Sequence, residues 1–201
     1  VNVVIIDYGA GNVPSVAAAL RRLGVEATTT NQAAELARAD RIILPGVGHC
    51  AALIRALDAQ GIRKPLVDAI SRGVPFLGIC LGLQALYEAS DEAPDLAGLG
   101  LFKGSVTHLP ANVKLPHMGW NQLRPIRASV LLGNIASESY FYFAHTFAAP
   151  DGGAESAAVC KHGREFVAVL EHGNIFGVQF HPEKSGAPGA KLLENFLRLA
   201  A

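Results

Sequence analysis

The sequence is short of most features that mark a special environment. It has three cysteines in 201 residues, at positions 50, 80 and 160, without close pairing. An odd, scattered set argues against a disulfide framework and for a reducing, cytoplasmic setting. Charge is scarce and evenly split, with 17 Lys plus Arg against 17 Asp plus Glu, so the electrostatic footprint of a nucleic-acid or anionic-membrane binder is missing. No apolar run approaches the ~18–20 residues of a membrane span. The opening Val-Asn-Val-Val-Ile-Ile-Asp has neither the basic start nor the small-residue cleavage site of a signal peptide. No Cys/His spacing of the zinc type occurs, so neither metal nor cofactor is expected. Without a repeat, low-complexity tract or linker, residues 1–201 are expected to form one domain.

What is abundant is apolar residue, half of the chain. In the first half, short apolar runs alternate with helix-period segments, the pattern of β-α-β units around a parallel sheet. Strands are expected at residues 3–6, 25–29, 41–44 and 75–79, with helices at 14–23, 33–39, 51–59, 65–72 and from about 83. Val16, Ala19, Leu20 and Leu23 share one helical face, and Gly24 ends that segment. In the second half, short strands at 106–109, 141–143, 157–159, 167–170 and 175–180 suit an antiparallel addition to the sheet. A closing helix at 189–200 turns Leu192, Leu193, Phe196 and Leu199 inward.

Gly78-Ile79-Cys80-Leu81-Gly82 joins a buried strand to a helix. A chain that turns so sharply leaves its middle residue at the tip, and needs small residues two positions either side to avoid clashes. The thiolate is the nucleophile, and an ordinary thiol is only ~3% ionised at pH 7, so the start of a helix is a useful neighbour. Cys50 and Cys160 lack this setting and read as packing residues, although Cys50 follows a glycine turn expected near the site.

His181-Pro182-Glu183 follows another apolar strand. Pro182 cannot extend a ladder, so it redirects the chain and lets Glu183 return to the imidazole. A carboxylate there sets the tautomer and stabilises the imidazolium formed when the cysteine ionises. His49, His108, His162 and His172 lie beside turns or strand ends and read as solvated. His117 and His145 sit in aromatic or proline-bounded strings, better suited to substrate or structural work. Gly46-Val47-Gly48, after the strand at 41–44, can turn the backbone N–H groups of Val47 and Gly48 toward a tetrahedral oxyanion, with the Leu81 amide as their partner.

Taken together, Gly-Ile-Cys-Leu-Gly-Leu-Gln and His-Pro-Glu resemble the class I glutamine amidotransferases. Asp7-Tyr8-Gly9-Ala10-Gly11-Asn12, Pro45 to Gly48, Pro116-His117-Met118-Gly119-Trp120-Asn121 and Tyr142-Phe143-Ala144-His145-Thr146-Phe147 narrow the resemblance to the glutaminase subunits of imidazole glycerol phosphate synthase. It runs the length of the chain, in order. It implies a flavodoxin-like three-layer α/β fold with an antiparallel extension. It also implies glutamine hydrolysis by Cys80, His181 and Glu183, with ammonia passed to a barrel-shaped cyclase subunit in a heterodimer. By motif position, Gly46, Gln84, His145, Thr146 and Phe147 would hold glutamine; Asn12, Trp120, Tyr142 and Lys184 would face the cyclase. One position departs from the pattern: Cys50 stands where the family string is usually aromatic.

Three other readings compete. A Cys-His hydrolase or peptidase on the same fold would act without a partner. A nucleotide-binding module is suggested by Gly9-Ala10-Gly11 after the first strand. However, Pro14 takes the place of the third glycine, and residues 28–31 offer no acidic ribose partner. An idle interaction subunit fits the neutral composition and Trp120, but has no use for a nucleophile, base and orienter.

Overall fold

Strands that read as unbroken apolar runs are buried on both faces. β1 (Val3–Ile6) sends Val3 and Ile5 into one core cluster and Val4 and Ile6 into the other, as the two-residue period of a strand requires. The computed structural model describes residues 1–151 and 153–199. After β1 come α1 (Val13–Arg22), β2 (Thr28–Thr30), α2 (Ala33–Leu36), β3 (Arg41–Gly46), α3 (Cys50–Ala59), α4 (Arg63–Ser71) and β4 (Phe76–Cys80). β3 and β4 alternate like β1, with Ile43, Leu77 and Ile79 on one side and Ile42, Leu44 and Phe76 on the other. α1 covers the first cluster through Val16 and Leu20; α3 and α4 cover the second through Leu53, Leu57, Leu66 and Ile70. Helices on both faces of a parallel sheet make three layers.

The second half contains α5 (Leu81–Gln84), β5 (Tyr87–Ser90), β6 (Phe102–His108), β7 (His117–Gln122), β8 (Arg124–Pro125), β9 (Tyr140–His145) and β10 (Phe147–Ala148). It continues through β11 (Ser156–His162), β12 (Arg164–His172), β13 (Ile175–Val178), a 3-10 turn (Pro182–Lys184) and α6 (Gly186–Leu197). The large sheet has the order β2-β1-β3-β4-β13-β12-β11-β8. Its strands are parallel from β2 to β13 and antiparallel beyond. The 2-1-3-4 order followed by a fifth parallel strand is flavodoxin-like, and the antiparallel extension lies where the sequence pattern puts it. α6 returns to the α1 face, burying Leu192, Leu193 and Phe196.

Several boundaries differ from expectation. The helix expected from residue 83 is a single turn, because the Leu86 carbonyl accepts from Leu101 and Phe102 and Tyr87 pairs with Phe102. The strand expected at 25–29 is confined to Thr28–Thr30. Val25 instead closes α1, its N–H 3.0 Å from the Leu20 carbonyl. α6 starts at Gly186 rather than 189, and residue 200, its expected end, lies outside the described residues.

Register sets up the site. Gly46 lies opposite Cys80, and Ile79 opposite Val178. The carboxyl ends of β3, β4 and β13 therefore deliver the residues that follow them to one edge, the usual ligand position of an open α/β sheet.

Candidate active site

Cys80 ends β4 with φ 53° and ψ −105°, a strained backbone for a residue with a Cβ. Glycines make room for it. A Cβ on Gly78 would strike the Gly82 carbonyl, and one on Gly82 would strike the Leu44 carbonyl. A Cβ on Gly46 would lie 2.6 Å from that of Leu81. The G-x-C-x-G spacing is thus a packing requirement of the turn. Since α5 is one turn long, its contribution to the sulfur's environment is local. Leu81, as its first residue, has an N–H with no intrahelical acceptor.

His181 follows β13 and is 2% exposed, with Nδ1 2.9 Å from Glu183 Oε1. Because a carboxylate oxygen accepts, Nδ1 carries the proton and Nε2 is left for the sulfur. Burial alone pushes the imidazole pKa down. Its contacts with Cys80 and Glu183 outweigh that and raise it to about 10. Burial would raise the Glu183 carboxyl, but the His181 hydrogen bond and charge, helped by Asn12, hold it below the usual carboxylate range. Asn12 Nδ2 donates to Glu183 Oε1 at 2.9 Å. The side chain expected to face a partner therefore turns inward to the carboxylate. The His181 segment is fixed from behind by three hydrogen bonds: the His181 N–H to the Tyr142 carbonyl at 2.8 Å, Tyr142 N–H to Ser185 Oγ at 3.0 Å, and Ser185 Oγ to the His181 carbonyl at 2.6 Å. The Cys80 sulfur is close enough to His181 to raise its pKa, and the thiol also faces the Ala144 carbonyl at 4.0 Å.

Both side chains open into a cleft of about 280 Å³. Val47, Gly48, Leu81, Gln84, His145, Thr146, Phe147 and Lys184 also line it, which unites most of the residues singled out in the sequence. Gly46 does not line the cleft; it lies under Leu81. Val47 departs from expectation too. Its N–H is not free for an oxyanion, because it donates to Tyr8 Oη at 3.2 Å while that hydroxyl also sits 3.2 Å from the Val47 carbonyl. Tyr8 is 5% exposed, and a buried phenol must find polar partners. Sequence reasoning missed Glu92, Pro116, Met118 and Ala144 on the cleft wall. Glu92 sits in a turn without periodicity, and its Oε2 accepts the Cys50 N–H at 2.7 Å.

β7 and β9 form a two-stranded ribbon at the cleft mouth, pairing His117 with His145 and Trp120 with Tyr142. Trp120, Met118 and Tyr140 are exposed on it. Trp120 stands edge-on to Tyr142 at 5.9 Å, and Lys184 Nζ lies 5.8 Å from the Tyr142 ring centroid. Inside the ribbon, His117 Nδ1 and His145 Nε2 are 2.9 Å apart. Burial is the main cause lowering these two imidazoles, to about 4 for His117 and about 3 for His145. His162, expected in solvent, is half-buried and stacks on His117 at 4.2 Å. Cys50 and Cys160 are buried and free, and burial pushes the Cys160 thiol up to about 12.

With this geometry in view, a family model described as glutamine amidotransferase class-I matches residues 4–200. The chain belongs to that family. It is an enzyme that hydrolyses glutamine. It is 46% identical to the imidazole glycerol phosphate synthase subunit HisH of Xanthomonas axonopodis pv. citri, over 99% of this chain and 98% of that one. The subunit of the same description from Moorella thermoacetica is 44% identical over 96% and 93% of the two chains. That from Deinococcus radiodurans is 44% identical over 98% and 93%. Among solved structures, a glutamine amidotransferase superposes with a TM-score of 0.77 at 20% identity, covering 96% of each chain. PurLQS from Thermotoga maritima gives 0.74 at 22% identity over 98% of this chain and 97% of that one. At such identities these two speak for the fold alone. No helix among the described residues is long and apolar enough to cross a membrane.

Proposed function

We propose that this amidotransferase is the glutaminase subunit of a cytoplasmic imidazole glycerol phosphate synthase, working through Cys80, His181 and Glu183. The observation that carries the reading is the meeting of a strained cysteine and a carboxylate-paired histidine in one cleft with Gln84. The Cys80 thiolate attacks the side-chain carbonyl carbon of glutamine, and the developing oxyanion takes hydrogen bonds from the Leu81 and Gly48 amides. The Val47 amide joins them only when Tyr8 releases it. The His181 imidazolium gives its Nε2 proton to the departing nitrogen, so ammonia leaves as the C–N bond breaks and a γ-glutamyl thioester remains. Water then attacks the thioester carbonyl and gives its proton to His181. Collapse expels the sulfur as thiolate and frees glutamate. Glu183 holds the ring tautomer throughout and balances the imidazolium.

In this reading Glu92 supplies a carboxylate for the substrate's α-ammonium group, and the Thr146–Phe147 segment supports its carboxylate. The exposed ribbon face, with Trp120 and Tyr142 beside Lys184, docks a barrel-shaped cyclase. That partner uses the ammonia to turn a phosphoribulosyl formimino carboxamide nucleotide into imidazole glycerol phosphate and aminoimidazole carboxamide ribotide. The test is glutamine turnover with and without a cyclase subunit and its substrate. Turnover rises on their addition and falls to background in Cys80→Ala, with the circular dichroism spectrum unchanged. Retained turnover in a folded Cys80→Ala chain rejects the mechanism. Turnover indifferent to the cyclase rejects the partner.

A further inference from the structure

Between β9 and β13 a buried line of polar groups ends on the sulfur. Phe147 offers a backbone carbonyl, which can only accept. Gln84 Nε2 lies 2.7 Å from it, which fixes the Gln84 amide with its nitrogen toward Phe147. The same nitrogen lies 3.1 Å from Gln179 Oε1. Gln179 therefore presents its own nitrogen on the other side, and Nε2 stands 3.5 Å from Cys80 Sγ. Its side chain has no solvent exposure, so water does not compete for this donor.

The anchor at Phe147 is itself pinned. His145 Nδ1 lies 2.8 Å from the same carbonyl, which makes it the protonated nitrogen and leaves Nε2 to accept from His117 Nδ1. Asn121 Nδ2 in turn approaches His117 Nε2 at 3.3 Å. The donors of His145 and Gln84 thus converge on the Phe147 carbonyl, and from Gln84 the hydrogen bonds run on through Gln179 to the sulfur, each strengthened by its buried setting.

We propose that Gln179 is a further catalytic residue, whose side-chain amide, oriented by Gln84 and the Phe147 carbonyl, donates to the Cys80 sulfur and holds it as a thiolate. The inference rests on Cys80 being the nucleophile. A hydrogen bond to an ionised group is among the stronger ones, and this one comes from a side chain other than His181. It complements the imidazolium: His181 moves protons, while Gln179 keeps an immobile donor on the sulfur through both half-reactions.

The test is the rate of Cys80 alkylation by iodoacetamide as a function of pH, with the modified residue identified by mass spectrometry. The chains compared are the unsubstituted one, Gln179→Met and Gln179→Glu. Losing the donor in Gln179→Met slows alkylation at pH 7 about tenfold and moves the midpoint about one pH unit higher. Gln179→Glu, which sets a carboxylate against the sulfur, moves it further. Because a buried substitution can prevent folding, a second measurement uses the ¹⁵N-labelled unsubstituted chain. The side-chain amide signals of Gln179 shift with pH at the alkylation midpoint, and lose that transition in Cys80→Ala. Unchanged midpoints in folded variants, or amide signals flat across the transition, overturn the role of Gln179 while Cys80 remains the reactive thiol. An unsubstituted chain alkylated only at residues other than Cys80 brings down the nucleophile reading, and this inference with it.

Discussion

Replacing His145 by Gln isolates the penalty for keeping a neutral imidazole inside the ribbon. In the unfolded chain a histidine titrates near its ordinary 6.5, whereas burial, and then the neighbouring His117, His162 and His181, drive His145 down to about 3. The Phe147 carbonyl, accepting from Nδ1, opposes that shift without cancelling it. Between those two values the unfolded state holds a proton that the native state refuses, so native stability drops as pH falls through 6.5. At pH 8 neither state is protonated. At pH 5 the linkage integral is about 2 kcal/mol against the native state. His117 loses stability in the same direction, and His181, raised to about 10, works the other way. The His181 contribution is complete below 6.5 and is lost as pH climbs toward 10. The main causes of both lie elsewhere, burial and His162 for His117 and Cys80 with Glu183 for His181, so both largely cancel in a difference. Urea unfolding of the unsubstituted and His145→Gln chains at pH 8, 7, 6 and 5 provides it. Whatever the gap in stability at pH 8, it moves by about 2 kcal/mol in favour of the variant by pH 5. A gap constant to within about 0.5 kcal/mol refutes the buried neutral imidazole.

Tyr8→Phe removes the hydroxyl that engages the Val47 amide, and its expected outcome is faster glutamine hydrolysis in the absence of any partner. Turnover equal to that of the unsubstituted chain would show that the Val47 amide takes no part. Gly78→Ala drives a methyl into the Gly82 carbonyl at the base of the elbow and should cost about 3 kcal/mol or more in urea unfolding. A loss under about 1 kcal/mol would mean that the turn relaxes easily.

The sheet was legible because its strands are buried on both sides: residues 3–6, 41–44 and 75–79 are apolar almost without interruption, and few other structures use such runs. The elbow and the His-Pro-Glu turn were legible because their constraints are local, a glycine two positions either side of Cys80 and a proline after His181. What escaped notice is long-range. Tyr8 reaches Val47 across 39 positions, and Asn12 reaches Glu183 across 171. No periodicity announces either contact, so Val47 looked free and Asn12 looked like a surface residue. His117 and His145 read as residues for substrate or structural work, with nothing local to name a partner. Their partner is another imidazole, which becomes visible only once β7 and β9 are set in register. The one-turn α5 was misjudged for a related reason. Residues from 83 onward are acceptable in a helix, but strand β6 claims Leu86 and Tyr87.

The elbow shows why local strain and distant packing have to be read together. A positive φ at a cysteine costs roughly 1–3 kcal/mol and survives only where the surroundings leave no alternative. Here the surroundings are three neighbouring parallel strands, β3, β4 and β13. Gly46 on β3 lies against Leu81, Gly78 and Gly82 let the two sides of the turn touch, and a Cβ on Gly177 of β13 would come within 2.9 Å of Leu83. Each glycine removes a side chain that would push the turn outward, so the bulk of Leu81 and Leu83 sinks into the sheet and the sulfur is left at the surface of the cleft. The same approach brings β13 near enough for Gln179 and His181 to reach that sulfur from residues that follow the strand. Enlarging any of the four glycines would therefore disturb more than the backbone of Cys80. It would also separate the strands whose carboxyl ends carry the nucleophile and its base, so activity should fall at substitutions too mild to unfold the chain.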